Sequence, residues 1–173
     1  QKMTLQILFG LALAIFMTIR EGTEVFIPFV KIYVDFGWLY IPFIVFTEVA
    51  MANAVNLTDG LDGLASSTTA IVAATFSIIG FIIIPGRDEA MSAAGLAILG
   101  ASLGFLVFNR YPAKIFMGDT GSMALGGVLS ATAIVGNMEW LLPITGLIFV
   151  IEALSVITQV IYFKKTGGKR IFR

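Results

Sequence analysis

Long apolar segments, separated by short polar ones, limit what this chain can fold into. A membrane-spanning helix needs about 20 mostly apolar residues to cross roughly 30 Å of hydrocarbon. Six apolar stretches approach that length, at 4–19, 38–52, 65–84, 90–108, 122–136 and 141–163. Only 13% of the 173 residues are charged, whereas soluble domains carry about a quarter. The sequence therefore predicts an all-α, polytopic membrane helix bundle with about six transmembrane helices.

The segment between the first two spans has a different pattern. Within residues 20–37, charged side chains interrupt an alternation of apolar residues that includes Val25, Ile27 and Phe29. A period of two is typical of β-strands and predicts a short β-hairpin, which we expect on the outer face of the membrane. The sequence contains no internal repeat or low-complexity linker, so we expect residues 1–173 to form a single membrane domain. Because the first residue is Gln1 and no signal-peptide pattern occurs, we expect an internal portion of a longer chain.

Composition excludes several classes of function. The formal net charge is zero, which argues against nucleic acid as a partner. The chain has no cysteine, so disulfides and thiol chemistry are excluded. It has no histidine either, and so lacks the usual proton shuttle and the usual zinc ligand. No Walker lysine motif, dinucleotide-binding glycine motif or EF-hand spacing occurs, so common nucleotide folds and calcium loops are poor fits.

The basic residues predict the orientation of the bundle. If six spans alternate in direction, one side of the membrane carries Lys2, Arg110, Lys114, Lys164, Lys165, Lys169, Arg170 and Arg173. The other side carries only Arg20, Lys31 and Arg87. Cytoplasmic loops are enriched in Lys and Arg. We therefore expect the polar segments 53–63 and 109–122 to face the cytoplasm together.

The first polar segment combines groups that suit a magnesium or phosphate site. Amides and carboxylates recur every third residue, at Asn53, Asn56, Asp59 and Asp62. Asp59 and Asp62 should lie close together on a turn, where like charges raise each other's pKa unless a cation lies between them. Gly60 and Gly63 allow a positive φ and close approach of a ligand. The alternative is a polar turn that merely connects two helices.

The second polar segment offers an anion-binding helix end. Residues 118–122 open the predicted fifth helix, whose free N–H groups and dipole attract anions. Asp119 lies where a helix N-cap would lie, and capping is the alternative to a metal-binding role. Nearby cations, Arg110 and Lys114, can meet phosphate charge. The Phe116 ring can stack on a base, although anchoring at the membrane surface is the more common use of such an aromatic residue.

Together these groups indicate magnesium-assisted phosphoryl chemistry on a lipid. A phosphate monoester has a second pKa near 6, so a lipid phosphate is largely ionised and nucleophilic at neutral pH. The site then has to screen like charges and hold donor and acceptor in line, which a bound divalent cation can do.

Two segments carry a resemblance to a known family. Residues 53–65, NAVNLTDGLDGLA, and 116–122, FMGDTGS, resemble the signature loops of the polyprenyl-phosphate N-acetylhexosamine-1-phosphate transferases. The tail at 162–172, YFKKTGGKRIF, is similar to that of the branch that acts in bacterial peptidoglycan synthesis. The resemblance implies Mg²⁺-dependent transfer of phospho-MurNAc-pentapeptide from UDP-MurNAc-pentapeptide to undecaprenyl phosphate, giving lipid I and UMP. It also implies a bacterial inner-membrane protein, with a homodimer as an open alternative to a monomer.

The resemblance assigns roles to residues of both segments. It implies that Asp119 binds magnesium with Asn56 near the metal, and that Asp59 and Asp119 are the catalytic acids. Gly60, Leu61 and Asp62 match contacts on the uracil side, Phe116 matches the stacking aromatic residue, and Asn109 matches a polar residue near the nucleotide. From the resemblance and the polar pattern together, the predicted substrate-binding residues are Asn53, Asn56, Gly60, Leu61, Asp62, Asn109, Phe116 and Ser122.

This sequence also departs from the family pattern. The family has ten spans, an aspartate pair followed by lysine, and a histidine cluster, and neither motif occurs in these 173 residues. We therefore expect this portion not to be a complete catalyst. Two alternatives stay open: a transferase of GlcNAc-1-phosphate to a polyprenyl phosphate, and a transporter that uses Glu48 and Glu152 as intramembrane cation ligands. The polar groups cluster on one side rather than at the midplane, which argues against the transporter.

Overall fold

The chain folds into a bundle of helices. The computed structural model describes residues 2–27, 29–82 and 89–171. The helices are α1 (Lys2–Glu21), α2 (Tyr40–Thr58), α3 (Leu64–Ile82), α4 (Glu89–Asn109), α5 (Gly118–Val135), α6 (Leu142–Thr145) and α7 (Leu147–Lys165). Two strands, β1 (Glu24–Ile27) and β2 (Ile32–Asp35), lie between α1 and α2. The predicted helical membrane bundle with a short hairpin is confirmed.

Five helices in the described part of the chain are long and apolar enough to cross a membrane: α1, α2, α3, α4 and α7. The chain is thus a multi-pass membrane protein, although its spans differ in detail from the prediction. The predicted fifth span, α5, is a helix of 18 residues, and its glycines, serines and threonines make it less apolar. The predicted sixth span is interrupted at Gly146, which separates α6 from α7.

The predicted hairpin is present. β1 and β2 pair antiparallel, with Val25 opposite Val34 and Phe26 opposite Tyr33. Val25 is fully buried in an apolar cluster with Met17 of α1. The hairpin precedes α2, and the polar segment 59–63 follows α2, so the two lie at opposite ends of this helix.

The second span is longer than predicted, and this changes the first polar segment. We expected a loop to begin at Asn53, but α2 continues to Thr58. The Asn53 side chain donates a hydrogen bond to the carbonyl oxygen of Val49 (2.7 Å), so it supports the helix rather than ending it. The helix ends at Thr58, and the N–H of its C-cap residue Asp59 bonds to the carbonyl oxygen of Val55 (3.2 Å). Asn53 and Asn56 therefore lie on a rigid helix.

A shared core fixes the helices that carry the polar segments. It includes Val55 of α2, Phe76 of α3, Leu129 of α5 and Phe149 of α7, all buried. Small residues at helix crossings allow close backbone approach, as is common in membrane bundles. The segment that joins the predicted spans 65–84 and 90–108 lies outside the described residues, except that Glu89 begins α4.

Candidate active site

The two polar segments meet at one end of the bundle, as the sequence predicted. The end of α2, the end of α4 and the start of α5 enclose a pocket of about 190 Å³. Its lining comes from both segments: Asn56, Asp59, Gly60, Leu61, Asp62, Asn109, Phe116, Gly118 and Asp119. Most of the predicted site residues thus share one pocket.

Asn109 ties the two segments together. Its side chain is buried, and its Oδ1 accepts hydrogen bonds from the N–H of Gly63 (3.1 Å) and the hydroxyl of Ser66 (2.9 Å). Its Nδ2 donates to the carbonyl oxygen of Ile115 (2.9 Å). Asn109 therefore fixes the loop after α2 against the loop after α4, in addition to lining the pocket.

A second tie joins the same loops at the surface. The carboxylate of Asp62 accepts a hydrogen bond from the N–H of Ala113 (2.9 Å). Next to it, Gly63 has a φ of +76°, and a Cβ there would lie 3.2 Å from a methyl carbon of Leu106 in α4. Gly63 thus adopts the positive φ that a glycine allows, and close approach of a ligand there stays a prediction. Gly60 does not adopt a positive φ, but it lines the pocket.

Asp119 lies in the first turn of α5 but not at its N-cap. The helix begins at Gly118, and its N-cap residue is Met117. The predicted N-cap position of Asp119 was therefore wrong by two residues. The apolar span was predicted to begin at Ser122, but the helix already begins at Gly118. The carboxylate accepts a hydrogen bond from Nδ2 of Asn56 (3.3 Å) and forms an ion pair with Lys2. Capping does not account for this carboxylate.

Asp59 and Asp119 approach each other from opposite segments. Burial raises the pKa of the Asp59 carboxyl above its ordinary value, and the negative charge of Asp119 raises it further. The sequence pattern had pointed to Asp62 as the acidic neighbour, but Asp62 lies against the N–H of Ala113. A cation between Asp59 and Asp119 would relieve their repulsion.

Two apolar side chains stand at the pocket edge. Phe116 is 77% exposed and Leu61 is 70% exposed, and both line the pocket. An exposed ring beside Gly118 and Asp119 is accessible to a flat ligand. Base stacking by Phe116 stays a prediction, with anchoring at the membrane surface as its alternative.

Two predicted substrate-binding residues lie behind the pocket. Asn53 donates a hydrogen bond to Oε1 of Gln6 in α1 (3.0 Å). Ser122 is fully buried, accepts a hydrogen bond from Nδ2 of Asn56 (2.9 Å) and donates to the carbonyl oxygen of Gly118 (3.0 Å). These bonds hold helices together beneath the pocket. A contact between either residue and substrate stays a prediction.

Comparison with known proteins covers both polar segments. Residues 1–137 match glycosyl transferase family 4. The chain belongs to this family. It is 56% identical over 149 residues to the phospho-N-acetylmuramoyl-pentapeptide-transferase of Listeria monocytogenes. This match covers 85% of this chain and 44% of the Listeria protein.

Further relatives in family 4 cover the chain more fully. The proteins of the same name from Clostridium beijerinckii and Oceanobacillus iheyensis are 52% and 49% identical, over 100% and 97% of this chain. The match covers 52% of each of these two relatives. The chain thus spans about half the length of the curated relatives it matches. The resemblance of the two signature segments to this family is confirmed.

The donors at this family 4 site fit a hard, oxygen-seeking cation. Asp59 and Asp119 supply carboxylates, with the Asn56 amide beside them. Within the described part of the chain, no group of three or more His, Cys, Asp or Glu side chains could hold a metal. Mg²⁺ does not require a cluster of three such side chains, because it usually binds one or two carboxylates and keeps several water ligands. The Asn56 amide turns its nitrogen to Asp119 and so orients that carboxylate, and direct coordination by Asn56 stays a prediction.

Lys2 is a site residue that the sequence did not reveal. Charge counting placed it on the same side as the polar segments, but 117 positions separate it from Asp119. Only the packing of α1 in the bundle brings the two together. Arg110 and Lys114, the cations that the sequence offered for phosphate, are exposed and do not line the pocket.

Proposed function

We propose that this chain forms the nucleotide and metal side of an enzyme that transfers phospho-MurNAc-pentapeptide from UDP-MurNAc-pentapeptide to undecaprenyl phosphate, giving lipid I and UMP. The names of its family 4 relatives support the reaction. The observation that carries it is the convergence of Asp59, Asn56 and Asp119, from two distant segments, on one pocket at the start of α5.

The chemistry requires little from side chains beyond positioning and charge. An oxygen of the ionised lipid phosphate forms a bond to the sugar-linked phosphorus of the donor, and the bond from that phosphorus to UMP breaks. Mg²⁺, when bound, neutralises charge on the diphosphate and on the departing UMP. No protein nucleophile has to be invoked from these residues.

Each residue of the pocket then has a separate task. Asp119 holds the cation, and Asn56 orients the Asp119 carboxylate. The free N–H groups in the first turn of α5 bind the diphosphate beside it. Phe116 stacks on the uracil, while Leu61 and Asp62 bound the uracil side of the pocket. Asp59 adds negative charge that strengthens cation binding.

The orientation of the site matches where the substrates are found. α5 runs from the pocket end of the bundle to the hairpin end, where its Ile134 packs in one cluster with Val25, so we count it as a sixth crossing. Eight basic residues then lie on the pocket side against three on the other, and we place the pocket on the cytoplasmic side of the bacterial inner membrane. A soluble UDP-sugar reaches the pocket from the cytoplasm, and a lipid phosphate reaches it from the bilayer.

The test uses the full-length protein in membranes with undecaprenyl phosphate and Mg²⁺. One reaction contains UDP-MurNAc-pentapeptide and the other UDP-GlcNAc, and both UMP release and the lipid product are measured. We expect UMP and lipid I in equal amounts from the first donor and no product from the second. Turnover of UDP-GlcNAc alone would assign the chain to the GlcNAc-1-phosphate branch. Absence of UMP with either donor would refute the transferase.

A further inference from the structure

α2 and α5 run antiparallel and meet at intervals of one helical turn. At the pocket end, Asn56 of α2 bonds to Ser122 of α5. One turn further in, Ala52 lies against Gly126. One turn beyond that, Glu48 accepts a hydrogen bond from the hydroxyl of Ser130. From one contact to the next, the residue number falls by four on α2 and rises by four on α5. A single antiparallel register therefore accounts for all three contacts.

The middle contact is a backbone contact. A Cβ on Gly126 would lie 2.6 Å from the Cα of Ala52 and 2.6 Å from the carbonyl oxygen of Met51. Both atoms belong to the backbone and cannot rotate away. Since non-bonded carbon atoms prefer about 3.5–4.0 Å, any larger residue would push the two helices apart by roughly 1 Å.

The deepest contact fixes the helices along their axes. Glu48 is 3% exposed and Ser130 is fully buried, so their hydrogen bond forms inside the bundle. Gly127 makes room for the carboxyl, because a Cβ there would lie 2.8 Å from Oε1 of Glu48. A buried polar pair is most useful as a device that selects one register. This pair links the same two helices that carry Asn56 and Asp119.

We propose that Gly126 and Glu48 are positioning residues for the metal site. Together they set the separation and register of α2 and α5, and so the distance from Asn56 and Asp59 to Asp119. Neither residue lines the pocket of about 190 Å³. Gly126 lies seven residues from Asp119, or about 10 Å along the helix. This inference rests on the proposed function, because it assigns the converging groups to a divalent cation.

The first test compares Gly126→Ala with Gly104→Ala in the full-length protein. A Cβ on Gly104 of α4 meets no atom within 4 Å, so this variant is a matched control for replacing glycine in a helix. Binding of Mn²⁺, a paramagnetic substitute for Mg²⁺, is measured by electron paramagnetic resonance. We expect Gly126→Ala to weaken Mn²⁺ binding about tenfold or more, since disturbing the groups that orient metal ligands typically costs about 10–100-fold in metal affinity or activity. Gly104→Ala should bind Mn²⁺ normally.

The second test separates positioning from general stability. Glu48→Gln keeps a side chain that can hydrogen-bond to Ser130, whereas Glu48→Leu does not. We expect Glu48→Gln to bind Mn²⁺ within a few-fold of wild type and Glu48→Leu to bind it more weakly. Thermal unfolding is recorded on the same samples. If Gly126→Ala does not fold, the difference between the two Glu48 variants decides the question.

A variant of the pocket itself distinguishes this inference from the proposed function. If Asp119→Asn binds Mn²⁺ as well as wild type does, the metal site is misplaced and the proposed function loses its main support. If Asp119→Asn loses Mn²⁺ binding while folded Gly126→Ala and Glu48→Leu keep it, the metal site stands. The positioning role of Gly126 and Glu48 is then overturned.

Discussion

Asn56 donates a hydrogen bond from Nδ2 to Oδ1 of Asp119, at 3.3 Å, across 63 positions of the chain. Asn56 lies in the last turn of α2, and Asp119 lies in the first turn of α5. Both residues lie on helices rather than in flexible loops, so their relative position is set by the packing of α2 against α5. A site of this kind can be strongly preorganised.

Asn109 offers a direct test of how the two loops are held. Asn109→Ala would remove three hydrogen bonds and leave the N–H of Gly63 and the carbonyl of Ile115 without their partner. We expect a loss of about 1–3 kcal/mol in the free energy of unfolding, the usual cost of stranding buried polar groups. Denaturant unfolding measures it. Asn109→Asp keeps the acceptor but places a buried carboxylate against the carbonyl oxygen of Ile115, so it should lose at least as much. An unchanged free energy of unfolding in Asn109→Ala would contradict the role of Asn109 in joining the two loops.

Phe116 should bind the uracil by stacking. Because its ring is 77% exposed at the pocket edge, removing it leaves no cavity in the core. Phe116→Ala in the full-length protein should weaken binding of the UDP-linked donor by about 1–3 kcal/mol, as for other stacked bases. Phe116→Tyr should largely restore it. Nucleotide affinity measured by titration calorimetry would be unchanged in the Ala variant if Phe116 only anchors the chain to the membrane.

Much of the fold and of the site could be predicted from the sequence, because the signals are local. The length of the apolar stretches predicted the membrane spans. The alternation of apolar and polar residues predicted the hairpin at residues 24–35. The spacing of polar groups marked both segments of the pocket. The helix ends were less accurate: Asn53 was expected in a loop, yet it lies within α2 because its side chain bonds to the preceding turn.

The remaining features depend on contacts between distant residues. The ion pair of Lys2 with Asp119 follows from the packing of α1 against α2, which no spacing encodes. The hydrogen bonds of Asn109 to Gly63 and Ile115 form only when the loop after α2 and the loop after α4 lie next to each other. Asp59 was paired with its sequence neighbour Asp62, but its acidic neighbour in space is Asp119. Local patterns identify which residues are chemically useful, and tertiary packing decides which of them meet.

The orientation of the bundle can be tested with single cysteines, because this chain has none. Tyr111→Cys and Trp38→Cys are suitable, since the native residues are 84% and 81% exposed and lie on opposite sides in the proposed topology. In a full-length chain otherwise free of cysteine, we expect an impermeant thiol reagent to label position 111 only in inverted vesicles. Position 38 should be labelled in intact cells once the cell wall is permeabilised. The reverse pattern would place the pocket outside the cytoplasm.

Asp59 should make folding stability depend on pH when divalent cations are removed. Its pKa is raised above the ordinary 3.8, first by burial and then by Asp119. The folded state therefore keeps the proton to a higher pH than the unfolded state does. Stability is lost as pH rises from 3.8 through the raised pKa.

Asp59→Asn removes this loss. In the presence of a chelator we expect the Asn variant to unfold at a higher temperature than wild type near pH 7 and at a similar temperature near pH 4. Adding Mg²⁺ should stabilise wild type more than the variant. A lower unfolding temperature of Asp59→Asn at neutral pH without cations would show that the carboxylate is stabilised by some other contact.

Asp119 is the residue on which turnover should depend most. Asn has nearly the same size but no charge, so Asp119→Asn removes the group that attracts the cation. It also removes the ion pair with Lys2, but an exposed ion pair adds little to folding. Because Met117 rather than Asp119 is the N-cap residue, the helix start is not altered. We expect a stable protein whose turnover falls by about 10²-fold or more, as when preorganised electrostatic groups are removed.

Asp62→Asn is the matched control, because it makes the same change on an acid that lines the same pocket. An Asn there can still accept the hydrogen bond from the N–H of Ala113. We expect it to raise the KM for the UDP-linked donor and to leave the Mg²⁺ dependence unchanged. Asp119→Asn should instead shift the Mg²⁺ optimum, since less charge holds the cation. A folded Asp119→Asn enzyme with near-normal turnover and an unchanged Mg²⁺ optimum would show that another residue binds the metal.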